Sequence, residues 1–553
     1  MFLKQRMRKS SKNFLFKLAK KRGRVYYYSQ GGDPMKRLTS SVYSFEKIIN
    51  EGKLYVDKTE YIWNLIQDDG SYFLARPRRF GKSLTVSTLE AVFQGRKDLF
   101  KGLAIYDKPY DWKKYPVIHL DLSKGDYSSL KQTSSALSNM VARCAQAHGI
   151  KLKRDVPNEM FQDLIIQLSK KGQVVILVDE YDKPILETLG EPYAKDVLKL
   201  LKAFYSVIKS YDANERFVFI TGVSKFSHVS LFSGMNNPSD LSMRSEYATM
   251  FGYTQTEFED NFAEYIDAAT EKLGIPREEF LQKMKYWYDG YRFEAEADTV
   301  YNPVSVAKFF EPAKPSFSNY WFATGTPSFL LTYCRDNSFD FAEALSGEIP
   351  ELSLDAYDID TIAPLALFIQ TGYLTIKDAI VRDDQTYYHL KFPNFEVKWA
   401  FEVHLLNTYT DYSAPHLTKI YNSLRQELKA VNVEKFMKSL NSFYAALPYK
   451  IQSRQENYYQ TIFFMLFYFL DFDVDVETMT NQGRIDAVIT LGKWVFLFEF
   501  KVDQKAKVAL AQIRRRKYFQ KYLLKDKRIM VIGASFNSKT RELFDWEFEE
   551  AKQ

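Results

Sequence analysis

Two short stretches of this 553-residue chain hold residues of the types and spacing that do chemistry. The first is Arg76-Pro77-Arg78-Arg79-Phe80-Gly81-Lys82-Ser83. An apolar segment, Ser71-Tyr72-Phe73-Leu74-Ala75, precedes it, and a helical pattern over 84–93 follows. Strand, loop, Gly-Lys-Ser and helix, in that order, is the layout of a phosphate-binding loop. Gly81 lets the backbone amides curl toward an anion, and the helix N-terminus adds its partial positive charge. Lys82 reaches for outer phosphates and Ser83 offers a hydroxyl to magnesium. Arg79, a further cation on the loop, is expected among the nucleotide contacts. The usual pattern opens on a glycine, and Arg76 stands in its place. Downstream, Val174-Val175-Ile176-Leu177-Val178 reads as a central parallel strand and runs into Asp179-Glu180. Asp179 is expected to hold the metal and Glu180 to activate a water. Taken singly, the loop reads as a basic turn and the strand as a buried strand entering an acidic turn. Their pairing in this order points to nucleotide binding.

The second stretch lies near the C-terminus. Gly483-Arg484-Ile485-Asp486-Ala487-Val488-Ile489 reads as one strand, and 493–502, ending Phe498-Glu499-Phe500-Lys501-Val502, as the next. Strand side chains alternate faces, so Glu499 and Lys501 share one face and Phe498 and Phe500 the other. A hairpin between the strands brings Asp486 alongside. Two carboxylates suit hard-oxygen ligation of magnesium, and a lysine beside them suits orientation of water or compensation of charge on a phosphate. The simpler reading is a structural Glu499–Lys501 ion pair.

These groups need a frame. Over 38–252 short apolar strands (72–75, 116–122, 174–179, 217–222) alternate with helices, which implies a parallel α/β sheet. Thr221 or Ser224, at the end of the last of these, is placed to sense a terminal phosphate, and a plain strand end explains them equally well. His119 reads as a buried, satisfied histidine. Over 253–390 helical signals dominate. We expect a helical domain there, winged-helix-like in one reading, with the aromatics of 286–291 in its core. No repeat or low-complexity segment appears. The chain is 46% hydrophobic with 38 Tyr and 44 Phe, the composition of an ordered globular protein. Its two cysteines, Cys144 and Cys334, are far apart, which argues against a zinc site or a disulfide framework and suits a reducing cytoplasm. The longest apolar run, 462–470, is too short to span a bilayer, so no membrane partner is expected. The net charge is +7, yet residues 1–30 carry ten Lys or Arg and no acid, so 7 − 10 leaves the body at −3. The basicity belongs to a tail, read here as a disordered leader or an upstream start included by mistake rather than as an arm that binds nucleic acid or an anionic membrane.

Tyr55-Val56-Asp57-Lys58-Thr59, the Arg76–Ser83 block, Asp179-Glu180-Tyr181-Asp182 and Asn236-Asn237-Pro238-Ser239-Asp240 together resemble a bacterial family of predicted AAA-ATPase-like proteins with a C-terminal PD-(D/E)XK nuclease domain. The resemblance runs from about Leu38 to the end, and the arginine at the first glycine position is a trait of that family. It implies ATP as the nucleotide and magnesium as the metal. It also implies an α/β fold class: a P-loop NTPase parallel sheet, a helical middle and a restriction-endonuclease-like C-terminal domain. The expected division is a tail over 1–37, an AAA-ATPase-like domain over 38–252, a helical linker over 253–390 and a nuclease-like domain over 391–553. Asp486, Glu499 and Lys501 match the D…ExK core, with Ile485 where a proline is usual. The resemblance further implies a metal-site acid at Glu456, and Gln512 and Tyr518 beside the active site. The expected activity is an ATPase coupled to a magnesium-dependent nuclease acting on nucleic acid, with DNA the favoured substrate. The alternative is an ATP-dependent switch or nucleic-acid-binding module whose nuclease fold does not cut.

Overall fold

The computed structural model describes residues 19–21, 24–26, 35–67, 70–225, 238–312, 314–321, 344–345, 347–354, 364–409, 414–445, 466, 473–480, 483–517, 519–523, 527–540 and 542–551. The chain divides into two compact units, Met1–Tyr320 with Tyr357–Ile359, and Trp321–Ala356 with Asp360–Gln553.

In the first unit, two short strands, β1 (Ala19–Lys21) and β2 (Arg24–Tyr26), pair with each other. The main sheet comprises β3 (Gly70–Ala75), β4 (Val117–Asp121), β5 (Val174–Asp179), β6 (Glu215–Gly222) and the two-residue β7 (Ser239–Asp240). All neighbours are parallel, in the order β4-β5-β6-β3-β7. Every residue of β5 is buried, which is why its sequence is an unbroken apolar run rather than an alternation. Helices Lys82–Phe93, Leu130–Ala147 and Pro157–Ser169 pack on these strands. β6 lies between the loop-bearing β3 and the acid-bearing β5. Their C-terminal ends therefore stand about two strand spacings apart, ~9.5 Å, and the start of helix Lys82–Phe93 bridges that gap.

Helices Gln255–Asn261, Ala263–Leu273, Arg277–Tyr288 and Pro303–Phe310 complete this unit. They enclose an aromatic core of Phe258, Phe262, Phe280, Tyr288, Tyr301 and Phe309, all buried. Phe258 and Tyr301 stack at 4.8 Å. Tyr288 and Tyr291 are therefore core residues, as expected, while Tyr286 is 46% exposed.

The second unit opens with helix Pro364–Thr371 and a small antiparallel sheet. That sheet comprises β8 (Ile349–Pro350), β9 (Thr375–Arg382) and β10 (Gln385–Lys391) in the order β8-β10-β9. Within the stretch 253–390, where helical signals dominate the sequence, β9 and β10 thus form a hairpin. Its turn, Asp383-Asp384, has both residues at positive φ without the glycine that usually marks such a turn. The division between units, at 320/321, falls inside that same 253–390 stretch. Helices Phe395–Tyr409, Ala414–Lys429 and Val433–Ala445 lead to a five-stranded mixed sheet. It comprises β11 (Asp473–Thr480), β12 (Gly483–Leu491), β13 (Trp494–Val502), β14 (Arg528–Phe536) and β15 (Leu543–Glu550) in sequential order. Only β13 and β14 are parallel, because helix Ala506–Arg516 crosses over between them. Gly533 permits that crossover, since a Cβ there would meet the carbonyl oxygen of Ala506 at 2.6 Å. Phe498 meets Phe436 of helix Val433–Ala445, while Val495, Leu497, Leu510 and Ile513 share a cluster on the helix Ala506–Arg516 side. β13 is thus covered on both faces by helices. Among the described residues no helix is long and apolar enough to cross a membrane.

Candidate functional sites

In the first unit the chain leaves β3 at Ala75 and turns at Arg79 (φ +71) and Gly81 (φ +97), both left-handed, before helix Lys82–Phe93 begins. Gly81 takes that conformation without a Cβ penalty and caps the helix with no side chain in the way. Arg76, in place of the first glycine, is 1% exposed. Its guanidinium donates to the carbonyls of Ala75, Ser242 and Tyr247 and lies 4.2 Å over the Phe293 ring. Burial lowers its pKa to about 9, with Asp240 opposing. The arginine therefore rivets the loop to the segments that follow β7. Phe80 is buried edge-on against Tyr291 at 4.7 Å.

Lys82, 6% exposed, donates to the carbonyls of Arg76 and Pro77 at 2.8 and 2.9 Å. Asp179 is 3% exposed, and its Oδ1 is buried with no hydrogen-bond partner among the described residues. Burial raises Asp179 above the usual carboxylate range, with Ser83 and Lys82 opposing. Burial also raises Glu180 and lowers Lys82, against their mutual attraction. Glu180 sits at φ +52, a left-handed backbone that costs a non-glycine residue roughly 1–2 kcal/mol and that re-aims its side chain where β5 ends. A serine hydroxyl and a buried carboxylate with an idle oxygen are the hard donors magnesium takes, so these residues fit the metal.

Several neighbours have other work. The Thr221 hydroxyl donates to the Leu74 carbonyl, and that of Ser224 to Asp182. Both bonds are ones that a plain strand end would make. Asp182, which sequence reasoning left without a role, is 1% exposed and also accepts the amides of Val223 and Ser224, tying the end of β5 to that of β6. Asp121, last residue of β4, stands in register with Asp179. Its place at the C-terminal end of a parallel strand was the available signal. His119 Nδ1 lies 2.9 Å from Glu90 Oε2.

In the second unit the register Ala487↔Phe498 sets Asp486 opposite Glu499 on adjacent strands. Glu499 is 2% exposed; its Oε1 accepts from Lys501 Nζ at 2.9 Å and from Gln512 Nε2 of helix Ala506–Arg516. Oε2 is buried with no hydrogen-bond partner among the described residues. Burial, then the charge of Asp486, raises Glu499 to about 7, against the bonds from Lys501 and Gln512. Asp486 Oδ2 accepts the Phe500 amide at 2.7 Å, which fixes the carboxylate at the edge of β13. The expected set of Asp486, Glu499, Lys501 and Gln512 is thus assembled. The idle Glu499 oxygen beside a second carboxylate fits a divalent cation. Among the described residues no group of three or more His, Cys, Asp or Glu side chains converges, so these two carboxylates stand as a pair. Glu456, Tyr518 and Asn236-Asn237 lie outside the described residues. In the basic run that ends helix Ala506–Arg516, Arg514 pairs with Glu549 of β15.

A parallel sheet with a phosphate-type loop facing strand-end acids, and a mixed sheet with a D…ExK set, define a P-loop ATPase-like module and a nuclease-type module. Comparison with known proteins agrees. Residues 40–232 match the family described as predicted AAA-ATPase, and residues 454–546 match the PD-(D/E)XK nuclease superfamily. A protein of Azotobacter chroococcum mcd 1, described as "Uncharacterized protein in vnfD 5'region", is 36% identical over 522 residues, covering 92% of this chain and 98% of that one. The chain belongs to this family of AAA-ATPase-like proteins with a C-terminal PD-(D/E)XK nuclease superfamily domain.

Proposed function

We propose that this protein binds and hydrolyses ATP in its first unit and, in its second, cleaves phosphodiester bonds of nucleic acid, DNA before RNA, in the cytoplasm. The nucleotide site falls within 38–252 and the cleavage site within 391–553, with 253–390 between them. The observation that carries the reading is shared by both sites: an almost fully buried carboxylate, Asp179 or Glu499, keeps one oxygen without a hydrogen-bond partner among the described residues. Burying an acceptor without a partner costs free energy, so a site that keeps one has a use for it. Magnesium, when bound, supplies a Lewis acid and charge compensation at each site.

The chain's own residues do the rest. Gly81 and the start of helix Lys82–Phe93 present amides to the phosphates, Lys82 exchanges its two carbonyl partners for phosphate oxygens, and Glu180 takes the proton of the attacking water. In the second unit Asp486 and Glu499 hold the cation, Gln512 steadies Glu499, and Lys501 orients water or meets the charge on the scissile phosphate.

The test offers end-labelled single- and double-stranded DNA and RNA to the full chain, with and without ATP and magnesium, beside Lys82→Ala and Asp486→Ala. The reading requires magnesium-dependent cutting that Asp486→Ala abolishes, and ATP turnover that Lys82→Ala abolishes. Binding without cutting on every substrate would replace it with the non-cleaving alternative.

A further inference from the structure

The loop Arg76-Pro77-Arg78-Arg79 presents three arginines within four residues, and the fold treats each differently. Arg76 is sealed in the interior on three carbonyls and an aromatic face. Arg79 is half-buried, and its guanidinium donates to the carbonyl of Tyr320. Arg78, between them, is exposed, and among the described residues no carboxylate pairs with it. Its backbone is nevertheless held. The Arg78 carbonyl faces Nδ2 of Asn302 at 3.5 Å, and Asn302 is itself fully buried, capping helix Pro303–Phe310 through the amides of Val304 and Ser305. Arg76 on one side and Phe80 on the other are anchored in the core. The loop thus has two inward anchors and one outward cation at its tip.

That cation is close to the site. Lys82 Nζ lies under the loop on the carbonyls of Arg76 and Pro77, the two residues before Arg78. Two like charges brought together at a rigid loop, one of them without a counter-ion among the described residues, make a place for a multiply charged anion.

Resting on the ATPase reading above, we propose that Arg78 is the arginine that contacts the terminal phosphate of the bound nucleoside triphosphate, acting in cis as a catalytic residue, while Arg76 and Arg79 hold the loop. In the reaction it serves, a water oxygen bonds to the γ-phosphorus as the bond from that phosphorus to the β–γ bridging oxygen breaks. The electron pair leaves on the diphosphate, and the water's proton passes through Glu180 to the released phosphate. Negative charge grows on the bridging and equatorial oxygens, where a planar guanidinium donates two parallel hydrogen bonds. The ligand class this selects is the triphosphate over the diphosphate.

The experiment measures affinity of the full chain for a non-hydrolysable ATP analogue and for ADP, together with ATP turnover, in wild type, Arg78→Ala, Arg78→Lys and Lys82→Ala. Arg78→Ala should weaken the triphosphate analogue by about tenfold or more, change ADP by less than about threefold, and slow turnover on the order of 10³-fold. Arg78→Lys keeps the charge without the fork, so it should recover affinity more than turnover. If Arg78→Ala fails to fold, Arg78→Lys carries the same comparison through its turnover loss at near wild-type affinity. Equal losses for ATP analogue and ADP, or no loss for either, would overturn the role of Arg78. Lys82→Ala with wild-type affinity for both nucleotides, or a wild type that binds neither, would instead remove the phosphate-loop reading itself.

Discussion

Each unit sets a lysine near a buried carboxylate, and the two pairs are built in opposite ways. In the first, Lys82 is held by carbonyls of its own loop, and Asp179 keeps a buried oxygen without a hydrogen-bond partner among the described residues. Among the described residues no hydrogen bond joins the two charges directly, and burial moves both toward their neutral forms. In the second, Lys501 bonds directly to Glu499 at 2.9 Å, with Gln512 on the same oxygen. The first arrangement is open at its centre, a frame around space for a charged ligand. The second is closed on one carboxylate oxygen and open on the other. The lysines should therefore fail differently when removed. Loss of Lys82 takes away a ligand contact, while loss of Lys501 takes away a ligand contact and a structural partner together.

The largest effect that tests this contrast is at Asp486. Its Oδ2 is tied to the Phe500 amide, so the carboxylate is fixed beside Glu499. Asp486→Ala should reduce magnesium-dependent cleavage to background and leave ATP turnover unchanged, measured on the same preparation. Cleavage that survives would place the cation elsewhere. Next is Glu180→Gln, which keeps shape and removes the proton acceptor. Nucleotide should still bind while turnover falls by about 10²–10⁴-fold. Turnover unchanged in the mutant would make the left-handed backbone at Glu180 a feature of the turn alone. Lys82→Ala follows. A hydrogen bond to a charged group is worth about 1.5–3 kcal/mol, so nucleotide affinity should drop by a factor of roughly 10–150. The melting temperature should stay near wild type, because among the described residues the lysine bonds only to carbonyls of an already anchored loop.

Both sites were largely legible in the sequence because each rests on short-range order. Lys82 and Ser83 begin a helix directly after an apolar strand, and Asp179 closes another. Glu499 and Lys501 share a face by the period of the strand, and Asp486 follows from hairpin register. What escaped depends on distant parts of the chain. Arg76 finds its partners at Ser242 and Tyr247, some 170 residues on, so nothing local distinguishes a buried arginine from a phosphate-facing one. The fates of Thr221 and Ser224 turn on Leu74 and Asp182, which only the sheet order brings near. The β9–β10 hairpin was hidden for a local reason. Its Asp383-Asp384 turn lacks glycine and its strands are half polar, so the stretch blended into the helical pattern around it.

The smallest and sharpest effect is the pH dependence of Lys501→Ala. In wild type, burial and Asp486 raise Glu499 to about 7, above the ordinary glutamate value of 4.5 that the unfolded chain keeps. A carboxyl raised in the fold binds its proton more tightly folded than unfolded. It costs no stability below about pH 4.5, where both states are protonated, and it costs progressively more as pH rises to about 7. Lys501 limits that cost by its hydrogen bond and its charge. Without it the folded carboxyl moves higher still, so the penalty keeps growing above pH 7. Removing one partner of a buried pair costs up to about 3–5 kcal/mol. Lys501 is 17% exposed and Glu499 can take up a proton, so the loss should fall short of that range. The expected result is a mutant that melts near wild type at pH 5 and clearly lower at pH 8.5. Magnesium should restore part of the difference by binding the carboxylate form. The same titration on Lys82→Ala should show a smaller divergence, because among the described residues no carboxylate bonds Lys82 directly, and only its charge opposes the burial of Asp179 and Glu180. A uniform loss at both pH values in Lys501→Ala would mean that the lysine acts through packing, and the contrast between the two sites would rest on their carboxylates alone.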